Sequence, residues 1–480
     1  MVKFVNDVLM EFRPCFSRKA TFDWFCVIVV GFLARTDSLG VTSIIRGLFL
    51  SADYMGLIGF FRSSAWSLEK LGVKWCALVR LYAPVMKHGD AVVIVGDGVK
   101  ESKEGRRMPG VKRLHQESGN SSKADYIWGH LFGGIGALAE KDGKTFCILL
   151  ALMLQDGVKQ IFGWDDEPKK RQRQGSHVME MIKMGHKVAS CFGKTILLLD
   201  RAFLSVPALI ELDKGNSSGV IMHIVTKAKS NCTAYHFPPE RKPGTRGAPR
   251  KKGASVKLFG LFSASKDKFL SAEVTLYGKT ENVRYYCVDF LWGQKLYKPL
   301  RFVLVEYNHI QTALVSTDLS MDPLDIVRLY GKRFGIEVMF REMKQVTAAF
   351  AYRFWSKSMP KLNRFKKKTD PDPIEQVTDE KAQKRIVLAV KAIEGFAFCA
   401  AVATGLLQMI SFQFSGSDDL VNLRYLRTYR NSVVSEATVA DFLRKNISFL
   451  LLQHPALPLV KVISVKQNRP KAPAAEGIAA

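Results

Sequence analysis

The sequence predicts an α/β core, interrupted by a β-rich insertion of about a hundred residues and flanked by helical N- and C-terminal regions. Three patterns predict it. Two wholly apolar, β-branched runs, AVVIVG at 91–96 and TILLL at 195–199, each end in an aspartate. A block of alternating strands fills residues 215–317, and apolar residues recur at helical spacing on either side of these strand regions.

Residues 1–85 read as helical, with Phe22, Trp24, Phe25, Val29 and Phe32, then Ile44, Ile45, Leu48 and Phe49, at helical spacing. Arg13, Lys19, Arg35, Arg46 and Arg62 are scattered between them, so the segment is either a small DNA-end-binding domain or a helical cap on the core. Residues 91–96 form a strand buried on both faces, ending at Asp97. Strands at 126–138, broken by glycines, and at 145–154 follow, then a helix at 175–192 built on Val178, Met181, Ile182 and Val188. The strand at 195–199 ends at Asp200, giving the order β-β-β-α-β over a first core segment, 86–214.

The insertion, 215–320, contains strands at 220–226, 257–262, 272–277, 283–290 and 302–307. A basic Pro/Gly loop, PPERKPGTRGAPRKKG, occupies 238–253. A long helix starts at Pro323 with Asp322 as N-cap and runs through Glu337 to about Val346. The rest of the core extends to residue 412 through a basic segment (357–368), an acidic stretch (370–372) and an apolar helix (382–412). A C-terminal helical region, 413–480, ends in an Ala-rich tail at 471–480 that is expected to be disordered.

Of the 480 residues, 71 are Lys or Arg and 44 Asp or Glu, a net charge of +27 that favours a polyanionic partner. Nucleic acid is the first candidate and an anionic membrane surface the second. The eight cysteines lack any Cys-x-x-Cys pair, which disfavours zinc sites and disulfides and fits a reducing compartment. The N-terminus does not read as a signal peptide. The apolar runs at 25–33 and 396–412 fall short of the roughly 20 residues a bilayer needs, so both are expected to be buried helices of a soluble protein. The histidines show no metal-ligand spacing; His177 and His186 share one expected helix without a partner. Gly133-Gly134-Ile135-Gly136 lacks the Lys and Ser/Thr of a P-loop, so no nucleotide cofactor is expected.

At about 100° per residue, Tyr330, Arg333, Glu337, Arg341 and Lys344 fall within about 80° of one helix face. Leu329, Ile336, Phe340 and Met343 lie beside that stripe. A glutamate among cations can be half of ordinary i,i+4 pairs with Arg333 and Arg341. With two aspartates at strand ends it can instead complete a trio able to hold two divalent cations, for which Mg²⁺ suits the oxygen ligands. Arg333, Arg341 and Lys344 then have DNA phosphates to pair with.

Tyr330-x(2)-Arg333-x(3)-Glu337-x(6)-Lys344 resembles the signature around the catalytic glutamate of a large group of bacterial insertion-sequence DDE transposases. Asp200-Arg201-Ala202-Phe203, Gly96-Asp97-Gly98, the basic loop Gly247-Ala248-Pro249-Arg250-Lys251-Lys252-Gly253 and Ser316-Thr317-Asp318-Leu319 are similar to further motifs of that group. The resemblance spans about residues 10–455. It implies an RNase H-like (retroviral-integrase-like) catalytic core, with Asp97, Asp200 and Glu337 as catalytic metal ligands for two Mg²⁺, Mn²⁺ being a substitute. It also implies cut-and-paste transposition by a homodimer bound to terminal inverted repeats and target DNA, and a cytoplasmic, nucleoid-associated location.

By the same resemblance Tyr330, Arg333 and Lys344 would contact phosphates near the scissile bond, and Trp292 would hold a flipped base, a stacking role that tolerates any sequence. A tryptophan beside strand residues can equally be core. Arg250, Lys251 and Lys252 would touch DNA unless their loop is merely solvated; the same two readings apply to Lys100, Lys103, Arg106 and Arg107. The rivals are an RNase H-like nuclease or resolvase that cuts without joining, and an inactive transposase-derived DNA-binding protein.

Overall fold

A computed structural model of the chain describes residues 1–51, 54–116, 124–155, 177–241, 247–276, 278–365, 373–417, 420 and 433–467. The first residues of the helix expected at 175–192, positions 242–246 of the basic loop, 366–368 of the basic segment, the acidic stretch 370–372 and the tail 471–480 lie outside them.

Helices α1 (Val2–Met10), α2 (Lys19–Ala34), α3 (Thr42–Gly47), α4 (Tyr54–Arg62) and α5 (Leu68–Tyr82) open the chain. From Thr21 to Ala34 every residue of α2 except Asp23 is buried. Its sequence is apolar on all sides, so it forms a core element rather than an amphipathic surface helix. These helices share their core with the rest of the molecule. The Trp75 indole donates 2.8 Å to the Leu149 carbonyl. Buried Arg35 lies 4.4 Å from the Phe32 ring centre and donates to Ser43 Oγ and to the carbonyls of Thr347 and Ala348, more than 300 positions away.

Strands β1 (Lys87–His88), β2 (Ala91–Ser102), β3 (Lys112–His115), β4 (Tyr126–Lys141) and β5 (Lys144–Gln155) follow, then α6 (His177–Phe192), β6 (Thr195–Leu198) and α7 (Val206–Asn216). Next come β7 (Met222–Lys227), β8 (Thr233–Tyr235), β9 (Ser255–Lys257), β10 (Leu270–Leu276), β11 (Lys279–Trp292), β12 (Lys298–Tyr307) and β13 (Ile310–Ser316). Helices α8 (Pro323–Gly331), α9 (Gly335–Gln345), α10 (Glu380–Phe414), α11 (Glu436–Leu452) and α12 (Pro458–Gln467) complete the described chain.

All thirteen strands among the described residues belong to one mixed sheet. Its first half runs β5-β4-β2 antiparallel and then β2-β6-β7 parallel. Through β7 it continues antiparallel into β13, β12 and β11. The strands of segment 215–320 therefore extend the core sheet instead of forming a sheet of their own.

Several expectations differ in detail. The glycines of 126–138 do not break β4, which runs for 16 residues; Gly136 lies where the pairing with β5 shifts register. Residues 258–264 turn helically after β9 instead of continuing as a strand, and β3, α7 and β13 went unexpected. The helix from Pro323 is two helices separated by a 3₁₀ turn at Lys332–Phe334. Gly331 and Gly335 flank that turn, and glycine weakens an α-helical interior by about 1 kcal/mol.

Helix α10 is 35 residues long and, among the described residues, the one helix long and apolar enough to cross a membrane. Of its most apolar 18-residue window, 78 % is buried inside the fold, where it packs on β5, α2 and α4.

Candidate active site

Asp97 lies inside β2, at the point where pairing with β6 ends: Val95 is the last residue opposite β6, and Asp97 stands opposite Gly134 of β4. It is thus mid-strand, not at a strand terminus, because β2 goes on pairing with β4 to Ser102. Asp200 stands just past the adjacent parallel strand β6 and precedes a 3₁₀ turn. Its carbonyl is held by Thr226 Oγ1 of β7, which donates 2.9 Å to it.

Glu337 comes from the first turn of α9, whose Ile336, Met339, Phe340 and Met343 are buried. Glycine lets this helix come close. A Cβ on Gly134, directly opposite Asp97, would meet the Phe340 ring at 2.8 Å. Gly134, one of the β4 glycines that look like strand breakers in the sequence, is where the helix bearing Glu337 lies on the sheet.

Arg333 joins the carboxylates. Its Nη1 donates 3.1 Å to Asp97 Oδ2, and its Nη2 donates to Glu337 Oε1. The expected i,i+4 pair with Glu337 is therefore half of a three-group contact. Asp97 is held above the usual carboxylate range mainly by burial, with Glu337 and Asp200 adding like-charge repulsion against the pull of Arg333 and the Gly98 N–H. Asp200 thus lies within electrostatic reach of Asp97. Burial opposes the charge on Arg333, but Asp97, Tyr330 and Glu337 more than offset it and hold the guanidinium protonated.

The donor set is all carboxylate oxygen, the kind that hard divalent cations take, and a guanidinium already occupies the cationic position between two of its members. Among the described residues no three acid, His or Cys side chains stand close enough together to cage an ion. Asp97 and Glu337 meet at Arg333, with Asp200 in electrostatic range of Asp97, and the three do not close on a shared point. The residues suit a divalent cation in kind, provided Arg333 withdraws.

Residues 11–126 match the family described as DDE superfamily endonuclease. The match runs from the N-terminal helices through Asp97 into the start of β4, and it stops short of Asp200 and Glu337. No curated protein and no solved structure matches the chain. The match supports a nuclease of the DDE type, a class that acts on DNA with divalent metal.

The remaining expected residues divide into those near the trio and those away from it. Half-buried Tyr330 packs against the core beside Arg333. Lys344 donates 3.0 Å to the Lys100 carbonyl and pairs with Glu101 at 3.0 Å, so it lies along β2. Arg341 is exposed and pairs with Glu342, not with Glu337. The 3₁₀ turn changes where Tyr330 stands relative to Glu337, Arg341 and Lys344, which all follow it on α9. At 3.0 residues per turn it adds about 60° over three residues to the angle drawn for a continuous α-helix.

Trp292 is half-buried, packed against the core, with its indole N–H directed at Cys232 Sγ, 3.2 Å away. That is the packing reading of this residue. Arg250 and Lys251 are exposed, and Lys252 lies 3.9 Å from the Tyr235 ring centre. Lys103 fits neither expectation, being buried: its ammonium donates to the Phe350 carbonyl and sits 4.0 Å from the Tyr352 ring centre, and burial lowers its pKa to about 8. Arg107 donates to the carbonyls of Lys357 and Met359, Lys100 to that of His115, and Arg106 remains exposed.

Proposed function

We propose that the chain is an insertion-sequence DNA transposase that cuts and joins DNA through Asp97, Asp200 and Glu337. The observation that carries this reading is the meeting of Asp97 and Glu337, 240 positions apart in the numbering, at one guanidinium with Asp200 in electrostatic range. Strand order supports an RNase H-like core, with three antiparallel strands followed by two parallel ones and a carboxylate at each of the two central strands. The DDE match over residues 11–126 and the net charge of +27 support a nuclease with a polyanionic substrate.

Asp97, Asp200 and Glu337 would hold the divalent cations, Mg²⁺ or Mn²⁺, that supply Lewis-acid activation of the attacking and leaving oxygens. Arg333 has the planar fork that grips a phosphate with two hydrogen bonds, so a DNA phosphate entering the site competes with Asp97 and Glu337 for it. Exposed Arg341 is free to turn from Glu342 toward the backbone, and Lys344 extends the cationic line along β2. Action as a homodimer on terminal inverted repeats, at the bacterial nucleoid, completes the reading.

The test is cleavage and strand transfer on DNA carrying the element's own ends, with Mg²⁺, with EDTA and with Glu337→Gln. Cutting and joining that both disappear in EDTA and in the variant are expected. Cutting without joining would move the assignment to a nuclease or resolvase, and activity indifferent to Glu337 would remove it from the site.

A further inference from the structure

We infer that the segment 351–365, extended over 352–356, is a DNA-binding strap, in which Trp355 offers a stacking face to an unpaired base and Arg353, Lys357 and Lys361 hold the flanking phosphates. The inference rests on the reading that this chain acts on DNA. Along 352–357 the side chains alternate as in a strand. Tyr352, Phe354 and Ser356 are buried, whereas Arg353, Trp355 and Lys357 face outward.

The inward row is firmly seated: the Phe354 ring lies 5.2 Å from Phe61 and 6.1 Å from Phe396, and the Tyr352 ring 5.9 Å from Phe396. The backbone is tied to the loop that continues β2. Ser356 N–H donates to the Arg107 carbonyl at 3.1 Å, Leu362 N–H to that of Arg106 at 2.7 Å, and the Arg364 guanidinium to that of Glu104 at 2.8 Å. The outward row is consequently presented on a fixed support.

Trp355 keeps 52 % of its surface exposed, the most exposed tryptophan among the described residues, and Phe365 at the far end keeps 93 %. An indole left in water between two cations gains nothing from the fold, whereas a base stacked on an aromatic contributes about 1–3 kcal/mol. From Val346 to Phe365 the segment contains no acidic residue, the flanking acids in sequence being Glu342 and Asp370, and it adds exposed Lys361 to the row; exposed Arg106 stands on the facing loop.

Position favours DNA leaving the active site. Lys103 touches the strap at Tyr352 and lies six residues beyond Asp97, about 20 Å along extended chain or roughly six base-pair rises. The strap therefore addresses the flank of the DNA rather than the scissile phosphate.

The test is fluorescence anisotropy with the full chain in EDTA, which separates binding from cleavage. The probes are an oligo-dT single strand, a duplex with one unpaired thymine and the fully paired duplex. Trp355→Ala should weaken binding to the first two by about 5- to 150-fold, the stacking energy converted at 1.4 kcal/mol per decade, and leave the paired duplex within about 3-fold. Trp355→Phe should retain most of the affinity, and Lys357→Gln should weaken all three probes and flatten the salt dependence by about one phosphate contact. Equal affinity of Trp355→Ala and wild type on every probe overturns the strap. So does a loss of the dimer in Trp355→Ala, measured by light scattering, which would make this face a contact between copies. If the wild-type chain binds none of the probes, the DNA reading itself falls.

Discussion

Arg333 is the residue on which the site turns. Its guanidinium neutralises two carboxylates that, together with Asp200, repel one another across a partly desolvated pocket. Removing it has opposite effects on fold and on cation binding. Arg333→Gln should lower stability by about 1–3 kcal/mol, since it leaves neighbouring carboxylates uncompensated. The same variant should take up Mn²⁺ more tightly than wild type when no DNA is present, measured by calorimetry on the free protein. Weaker Mn²⁺ uptake in the variant would mean that the guanidinium does not compete for the cation position. The acidic residues and Arg333 were legible in the sequence as residue types at meaningful spacing. Their three-body contact was not, because wheel angles describe neighbours on one helix and say nothing of a strand that arrives from 236 positions away.

At the scale of elements, the edge of the sheet shows how polar groups are accommodated inside an apolar layer. Among the described residues β5 pairs with β4 alone, and α10 covers it. Fully buried Glu394 of α10 accepts the Leu154 N–H at 2.9 Å, which satisfies a donor that no neighbouring strand reaches. Burial raises this carboxyl from 4.5 to about 7. The folded state thus holds the proton more tightly than the unfolded chain does, and stability falls as pH rises between those two values. The full effect is on the order of 3 kcal/mol above neutrality. Glu394→Gln keeps an acceptor for Leu154 and removes the charge, so its Tm relative to wild type should rise between pH 5 and pH 8 in thermal scans; a constant difference would show that Glu394 does not titrate in the fold. Strands 91–96 and 195–199 were readable because both faces are buried and their runs are unbroken. The glycines of β4 misled, since a sequence cannot distinguish a glycine that ends a strand from one that admits a phenylalanine ring above it. The 3₁₀ turn was hidden for a similar reason: Gly331 and Gly335 are each tolerable in a helix, and only their packing against Leu276 and Leu138 fixes where the chain tightens.

At the scale of the molecule, the N-terminal helices are part of the fold that carries the site. Arg35 reaches Thr347 and Ala348 just past the helix bearing Glu337, and Trp75 caps a carbonyl of β5. The sequence left open whether residues 1–85 form a detachable DNA-binding unit or a cap, because apolar periodicity is the same in both. Deleting residues 1–80 is expected to abolish the cooperative thermal transition, since it uncovers Phe396 and the β5 face of the sheet. A truncated chain that still melted cooperatively near the wild-type Tm would establish these helices as an independent domain.

The hydrogen bond from the Leu459 N–H to Asn6 Oδ1 closes the molecule across 453 positions, and Ser51 is bonded to Lys466 in the same way. During synthesis at about 5–20 residues per second, helix α1 therefore waits roughly 20–90 s for its partner. Through that interval α2, apolar on every side, has no completed core to enter. A nascent chain of this protein is therefore expected to bind holding chaperones through that interval, so that its yield in a cell depends on that wait as well as on the stability of the finished fold.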